Sequence, residues 1–417
     1  MSFNVIGKSI PRHDAELQVT GQSIYGDDVV RPNMLHCLVL RSKHPHAKIL
    51  SIDTSKAEQL EGVKGIVTSK DVPFNAFGFT HIDQPILAED KVRYIGDAVA
   101  AVAAETLEIA EEALDLIEVD YEVLPGVFDS LEAMKEDSPK VHGDSNIATY
   151  LQIKDGDIEQ GWKESDMIIE EDFTTPRVEH AAIEPHVAIA EVDMSGELVV
   201  WATVQRPFTI ASDLNKVLKI PMNKIRVIAT DIGGGFGGKN ETSIEPFVAM
   251  LTMKTGRPVK LVYSREDEFI SSTIRHPYRI NMKTGVKNDG TIVAREVKII
   301  SDGGAYASWG ESTLNKASIH ACGPYIIPNV NVEGYLIYTN NPVGGAMRGF
   351  GVPQLGFAYE AHTDTVAERL NMDPIEFRLK NVMVDGSAMP TGQAIEKVTI
   401  KETIEMALKL AGPKEVL

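Results

Sequence analysis

Residues 231–239 read Asp-Ile-Gly-Gly-Gly-Phe-Gly-Gly-Lys, and five glycines within six positions constrain this chain more than any other feature of its 417 residues. A single side chain interrupts them, the ring of Phe236. Without Cβ atoms the backbone N–H groups can approach a ligand closely, so an anionic or oxygen-bearing group is expected there. The run follows the β-branched segment Ile225–Ala229 and precedes 243–253, where Ile244, Phe247, Val248 and Leu251 share one helical face. Three readings compete. Gly233, Gly235 and Gly238 satisfy the dinucleotide pattern G-x-G-x-x-G, but the acidic residues 266–268 lie about 30 residues on, where about 20 is typical. Gly233 through Lys239 fit a phosphate-binding G-x-x-x-x-G-K, yet Asn240 stands where Ser or Thr would hold magnesium. The third reading is a plain flexible loop around Phe236.

The rest of the chain bounds these options. Its 41 Lys+Arg against 60 Asp+Glu give a net charge of -19, which argues against nucleic acid or an anionic membrane surface as a partner. No apolar run is long enough to span a membrane, and the start, MSFNVIGKSIPRHD, lacks a signal-peptide pattern, so a cytoplasmic protein is expected. Two cysteines, Cys37 and Cys322, are too few for a four-thiolate cluster. The length suggests two or three domains. Strands are expected at 34–40, 98–103, 117–121, 225–229 and 259–263. Hairpins are expected around Ser195-Gly196 and Asn288-Asp289-Gly290, and helices near 107–117, 243–253, 357–370 and 401–411. The polar stretch 130–146 reads as a linker.

Several ordered motifs go further. They are Ile6-Gly7-Lys8-Ser9-Ile10-Pro11-Arg12, Val19-Thr20-Gly21, Tyr94-Ile95-Gly96-Asp97-Ala98-Val99-Ala100, Val119-Asp120-Tyr121-Glu122, the glycine cluster, Arg265-Glu266-Asp267, Arg275-His276-Pro277, and Ala346-Met347-Arg348-Gly349-Phe350-Gly351 with Pro353-Gln354. In this order they resemble the molybdenum-binding subunit of the molybdenum hydroxylases, the xanthine dehydrogenase and aldehyde oxidase family. The resemblance implies a mixed α/β, α+β chain. A hammerhead-type α/β domain would occupy 1–130, a linker 131–146, and a first molybdopterin-binding α+β domain 147–417.

By the same resemblance, molybdenum is held by a pyranopterin, expected in its cytosine dinucleotide form, with no direct protein ligand to the metal. Gly234, Gly235, Phe236 and Gly237 would bring the Phe236 N–H to an oxygen on the metal, and Gln205 would donate its side-chain amide to a similar oxygen. Ala346, Met347, Arg348 and Gly349 would contact the pterin, and Phe350 would flank a flat substrate. Asn240 and Lys316 replace a glutamate and an arginine of the purine-oxidising relatives, which favours a substrate bearing its own carboxylate. Nicotinate, converted to 6-hydroxynicotinate, is the expected substrate; another heterocycle, an aldehyde, or a nicotinamide-dependent dehydrogenase using the 233–238 loop are the alternatives. His180 and Glu184 are read as structural and not as a metal pair.

Family chemistry needs a glutamate general base in a Gly-x-Gly-Glu segment. The Gly-Glu pairs here, Gly196-Glu197 and Gly310-Glu311, lack the preceding Gly-x. No catalytic residue is therefore assigned within this chain. A second molybdopterin subunit carrying the base, a [2Fe-2S] subunit and an FAD subunit are the expected partners.

Overall fold

The computed structural model describes residues 3–412. Its backbone is mixed α/β, built on two large sheets. The first has seven strands in the order Ile225–Ala229, Leu198–Ala202, Val187–Val192, Val259–Val262, Leu35–Arg41, Ala98–Ala104 and Val63–Thr68. It is a mixed sheet that draws strands from both sides of 131–146, joined where Leu35 pairs with Val259 in parallel register. The expected Ser195-Gly196 hairpin is present, with Leu198 opposite Val192 and Gly196 at φ +78. The second sheet has five strands: Ile147–Asp155, Asn329–Tyr338, Ile292–Gly304, Tyr278–Val286 and Met167–Thr174. Its central pair, 292–304 with 329–338, is parallel; the others are antiparallel.

The strands flanking the helix Leu107–Asp115 go to different sheets. Ala98–Ala104 lies in the seven-stranded sheet, while Glu118–Val123 pairs with Ala47–Asp53 in a small three-stranded one. The stretch 131–146 is packed and anchored. Val141 is fully buried, and the Asn146 side chain accepts from its N–H while donating to the Ala133 and Pro139 carbonyls.

The helix Glu245–Thr255 was expected to be amphipathic, but Glu245 through Thr252 are all buried. It lies between the seven-stranded sheet and the helix Pro207–Leu218, and only its last turn, from Met253 on, reaches solvent. No helix among the described residues is long and apolar enough to cross a membrane.

Candidate functional site

The glycine cluster leaves the edge strand Ile225–Ala229 and is tied down at each end. Glu184 is the tether: its carboxylate accepts from Gly233 N at 2.7 Å and Gly26 N at 3.1 Å, and it pairs with Lys239 Nζ at 3.0 Å. Lys239 is only 2 % exposed and also donates to the Glu184 carbonyl. Burial pushes its ammonium below the usual lysine range, and Glu184 opposes that shift. A lysine committed in this way is not free for a phosphate, which removes the phosphate-loop reading. The dinucleotide reading also fails on geometry. The following helix begins at Glu245, not directly after the glycines, and the next strand, Val259–Val262, lies beyond two intervening strands.

Two loops cross at the site. Arg348 N donates to the Phe236 carbonyl at 2.8 Å, and a Cβ at Gly237, whose φ is +110, would lie 2.4 Å from the Ala346 oxygen. His180 Nε2 meets the same Ala346 carbonyl at 2.8 Å, so His180 positions the second loop from below. Arg275 holds that loop from the side, donating to the Arg348 carbonyl and to Gln354. Gln205 Oε1 accepts from Gly237 N at 3.0 Å, which leaves its amide nitrogen to face outward. The Phe236 N–H has no acceptor among the described residues, and its ring is 49 % exposed.

Backbone strain marks the same place. Of eight non-glycine residues at positive φ among the described residues, four lie around it: Ala181, Phe236, Ser308 and Phe350. Bulky residues adopt this conformation only where the surrounding fold imposes it.

Gln205, the cluster 234–237 and the loop 346–349 are thus brought together. Arg348 is exposed and makes no side-chain ion pair among the described residues. Phe350 meets the edge of Trp309, which stacks on Phe79 at 3.9 Å. Asn240 is half-buried, with its N–H on the Gly237 carbonyl. Lys316 is exposed on the helix Gly310–Ile319, whose Thr313 and Ala317 abut Gly351; no hydrogen bond joins it to Asn240.

A cleft of about 380 Å³ opens beside these loops, lined by Phe79, Arg206, Phe208, Thr242, Trp309 and Glu241. Sequence reasoning missed Glu241 and Trp309, because neither carries a local signal; the loop 76–83 that brings Phe79 over Trp309 is fixed by contacts made far along the chain. Asp83 accepts from Ala307 N and Tyr338 OH, and His81 meets Glu311.

The cradle suits a cofactor that brings its own metal. It offers a free N–H, an outward amide, an exposed guanidinium and glycines whose missing Cβ atoms leave room, while no group of three His, Cys, Asp or Glu among the described residues could bind a metal ion. Fold and site together define a molybdopterin-binding component, and the chain belongs to the xanthine dehydrogenase and aldehyde oxidase family of molybdenum oxidoreductases. Residues 141–382 match the molybdopterin cofactor-binding domain, and 20–125 the α/β hammerhead domain of aldehyde oxidase and xanthine dehydrogenase. The chain is similar to the nicotinate dehydrogenase large molybdopterin subunit of Eubacterium barkeri, 40% identical over 98% of this chain and 97% of that protein. It is 33% identical to the xanthine dehydrogenase molybdenum-binding subunit of Escherichia coli over 96% of this chain and 55% of that one. Aldehyde oxidoreductase from Desulfovibrio gigas superposes with a TM-score of 0.91 at 33% identity, covering 95% of this chain and 45% of that one. Against the last two, the chain spans about half the relative's length.

Proposed function

We propose that the chain is the molybdopterin-binding half of a multi-subunit hydroxylase that converts nicotinate to 6-hydroxynicotinate. One observation carries the cofactor part: the crossing of the 233–239 and 346–350 loops, which leaves the Phe236 N–H and the Gln205 amide unpaired on one edge. The bound molybdenum-pyranopterin, in its cytosine dinucleotide form, supplies two-electron oxidation and oxygen transfer from water. This chain's residues orient it. Gln205 and Phe236 donate to its oxygens, Arg348 and the backbone of 346–349 hold the pterin, and Phe350, backed by Trp309, offers a wall to a flat ring.

The substrate choice is supported by the match to the nicotinate dehydrogenase subunit, by Asn240, which would repel a carboxylate less than glutamate would, and by Lys316, whose ammonium would pair with that carboxylate. The general base, iron–sulfur and flavin centres are assigned to partner subunits, a reading supported by the match along 97% of a protein that is itself named as one subunit, the nicotinate dehydrogenase large molybdopterin subunit. Two free, buried cysteines agree with a cytoplasmic complex. The test of the substrate site is Lys316→Met in the native complex. The KM for nicotinate should rise at least roughly tenfold, a loss of about 1.4 kcal/mol; an unchanged KM refutes the carboxylate pairing.

A further inference from the structure

Behind the glycine cluster lies a second, smaller space of about 50 Å³, lined by Arg41, Tyr94, Asp97, His186, Tyr263 and Glu241 among others. Glu241 lines this space and the outer cleft alike. One of its oxygens accepts from Ser308 Oγ at 2.6 Å, and Ser308 is held at φ +45, a strained conformation that aims the hydroxyl at the carboxyl. The other oxygen, Oε1, is buried against Gly345 beside Thr273 Oγ1, and neither atom has a hydrogen bond of good geometry. Arg41 Nε, on another residue lining the inner space, has only a long ion pair of 3.8 Å to Asp267. Polar cavities with unsatisfied groups hold water, and at about 10–15 Å³ per molecule this one has room for roughly three to five.

We propose that the inner cavity holds a water cluster and that Glu241 exchanges protons between this cluster and the substrate cleft. The proposal rests on the hydroxylase reading. Replacing a ring hydrogen by hydroxyl consumes one water and releases two protons and two electrons, and the electrons leave to the iron–sulfur and flavin acceptors. The Glu241 carboxylate takes a proton from the cleft, becoming a neutral acid, and returns it from Oε1 to a cavity water. Burial raises the Glu241 carboxyl above the usual range, opposed by Ser308, Thr273, His180 and His186. On the far wall Asp97, pushed up to about 6 by burial and bonded by Tyr306, is the next acceptor. Arg41 keeps its charge, donating to Tyr263 and the Gly96 carbonyl.

The test is Glu241→Gln in the native complex. It should lower kcat on the order of 100-fold with KM within about twofold, and should shift the acidic limb of the kcat–pH profile, leaving only the limb set by the general base. Glu241→Asp should shift that limb part of the way back. Independently of turnover, infrared difference spectra of the wild-type complex on acidification should develop a neutral-carboxyl C=O band that shifts in D2O and is lost in E241Q. High-resolution density should reveal waters on Glu241 Oε1 and Thr273 Oγ1. Wild-type kcat and pH profile in E241Q, absence of the band, or a dry cavity would each overturn the proposal. A wild-type complex that hydroxylates no heteroaromatic compound would refute the hydroxylase reading, while the band and the waters still decide the state of Glu241.

Discussion

Gly237 and Glu184 carry the site by opposite means, one by lacking a side chain and one by spending every oxygen it has. A methyl at Gly237 would collide with the Ala346 carbonyl and would sit at a φ that L-residues avoid. Gly237→Ala should therefore part the crossed loops, and the purified complex should retain much less molybdenum per chain by metal analysis. Glu184→Ala leaves the buried Lys239 ammonium without its carboxylate, a change that costs about 3–5 kcal/mol; thermal denaturation should register it as a large drop in Tm. At this scale the convergence of the glycines and Arg348 was legible from dense local motifs, and that of Gln205 only from the family resemblance. Glu184 was visible only as a possible metal ligand to be dismissed. Its real role depends on Gly26 and the two ends of the 233–239 cluster converging on it from distant parts of the chain, which no local pattern encodes.

Elements were legible where both ends of the pattern are local. The Asn288-Asp289-Gly290 hairpin forms as read, with Gly290 at φ +86 and Asp289 accepting from Thr291 N. The strand Asn329–Tyr338 was not read, since its place between 292–304 and 147–155 is set by long-range pairing. The helix Glu245–Thr255 was found, but its apolar stripe understated its burial, because Pro246, Ala249 and Thr252 are small or neutral enough to pack as core. Leu251 is fully buried there. Leu251→Ala should cost about 2–5 kcal/mol in chemical denaturation, against less than about 0.5 kcal/mol for a change at an exposed site such as Met194.

Across the whole molecule, two buried histidines, His276 and His362, and the half-buried His142 are pulled down to about 4, chiefly by desolvation. Their ordinary value is about 6.5, so the unfolded chain binds protons before the folded one does. Stability from these groups is present above pH about 6.5 and is lost as the pH falls toward 4. The His186–Glu268 pair acts in both directions: the raised imidazole loses its contribution as pH rises through its folded value, and the lowered carboxyl loses its own in acid. Urea denaturation at pH 7, 5 and 4 should give a steadily falling midpoint, and a flat profile would contradict these assignments. The family was legible from ordered motifs. The way a single sheet joins strands from both sides of 131–146 was not, because strand order is a property of the assembled fold.

The proposed role of this chain, to cradle molybdenum for the hydroxylation of nicotinate, is tested most directly by metal analysis of the native complex combined with turnover of nicotinate in water carrying heavy oxygen. Stoichiometric molybdenum and 6-hydroxynicotinate bearing the water's oxygen are expected. A complex without molybdenum, or one with molybdenum that leaves nicotinate untouched while oxidising purines or aldehydes, would contradict it.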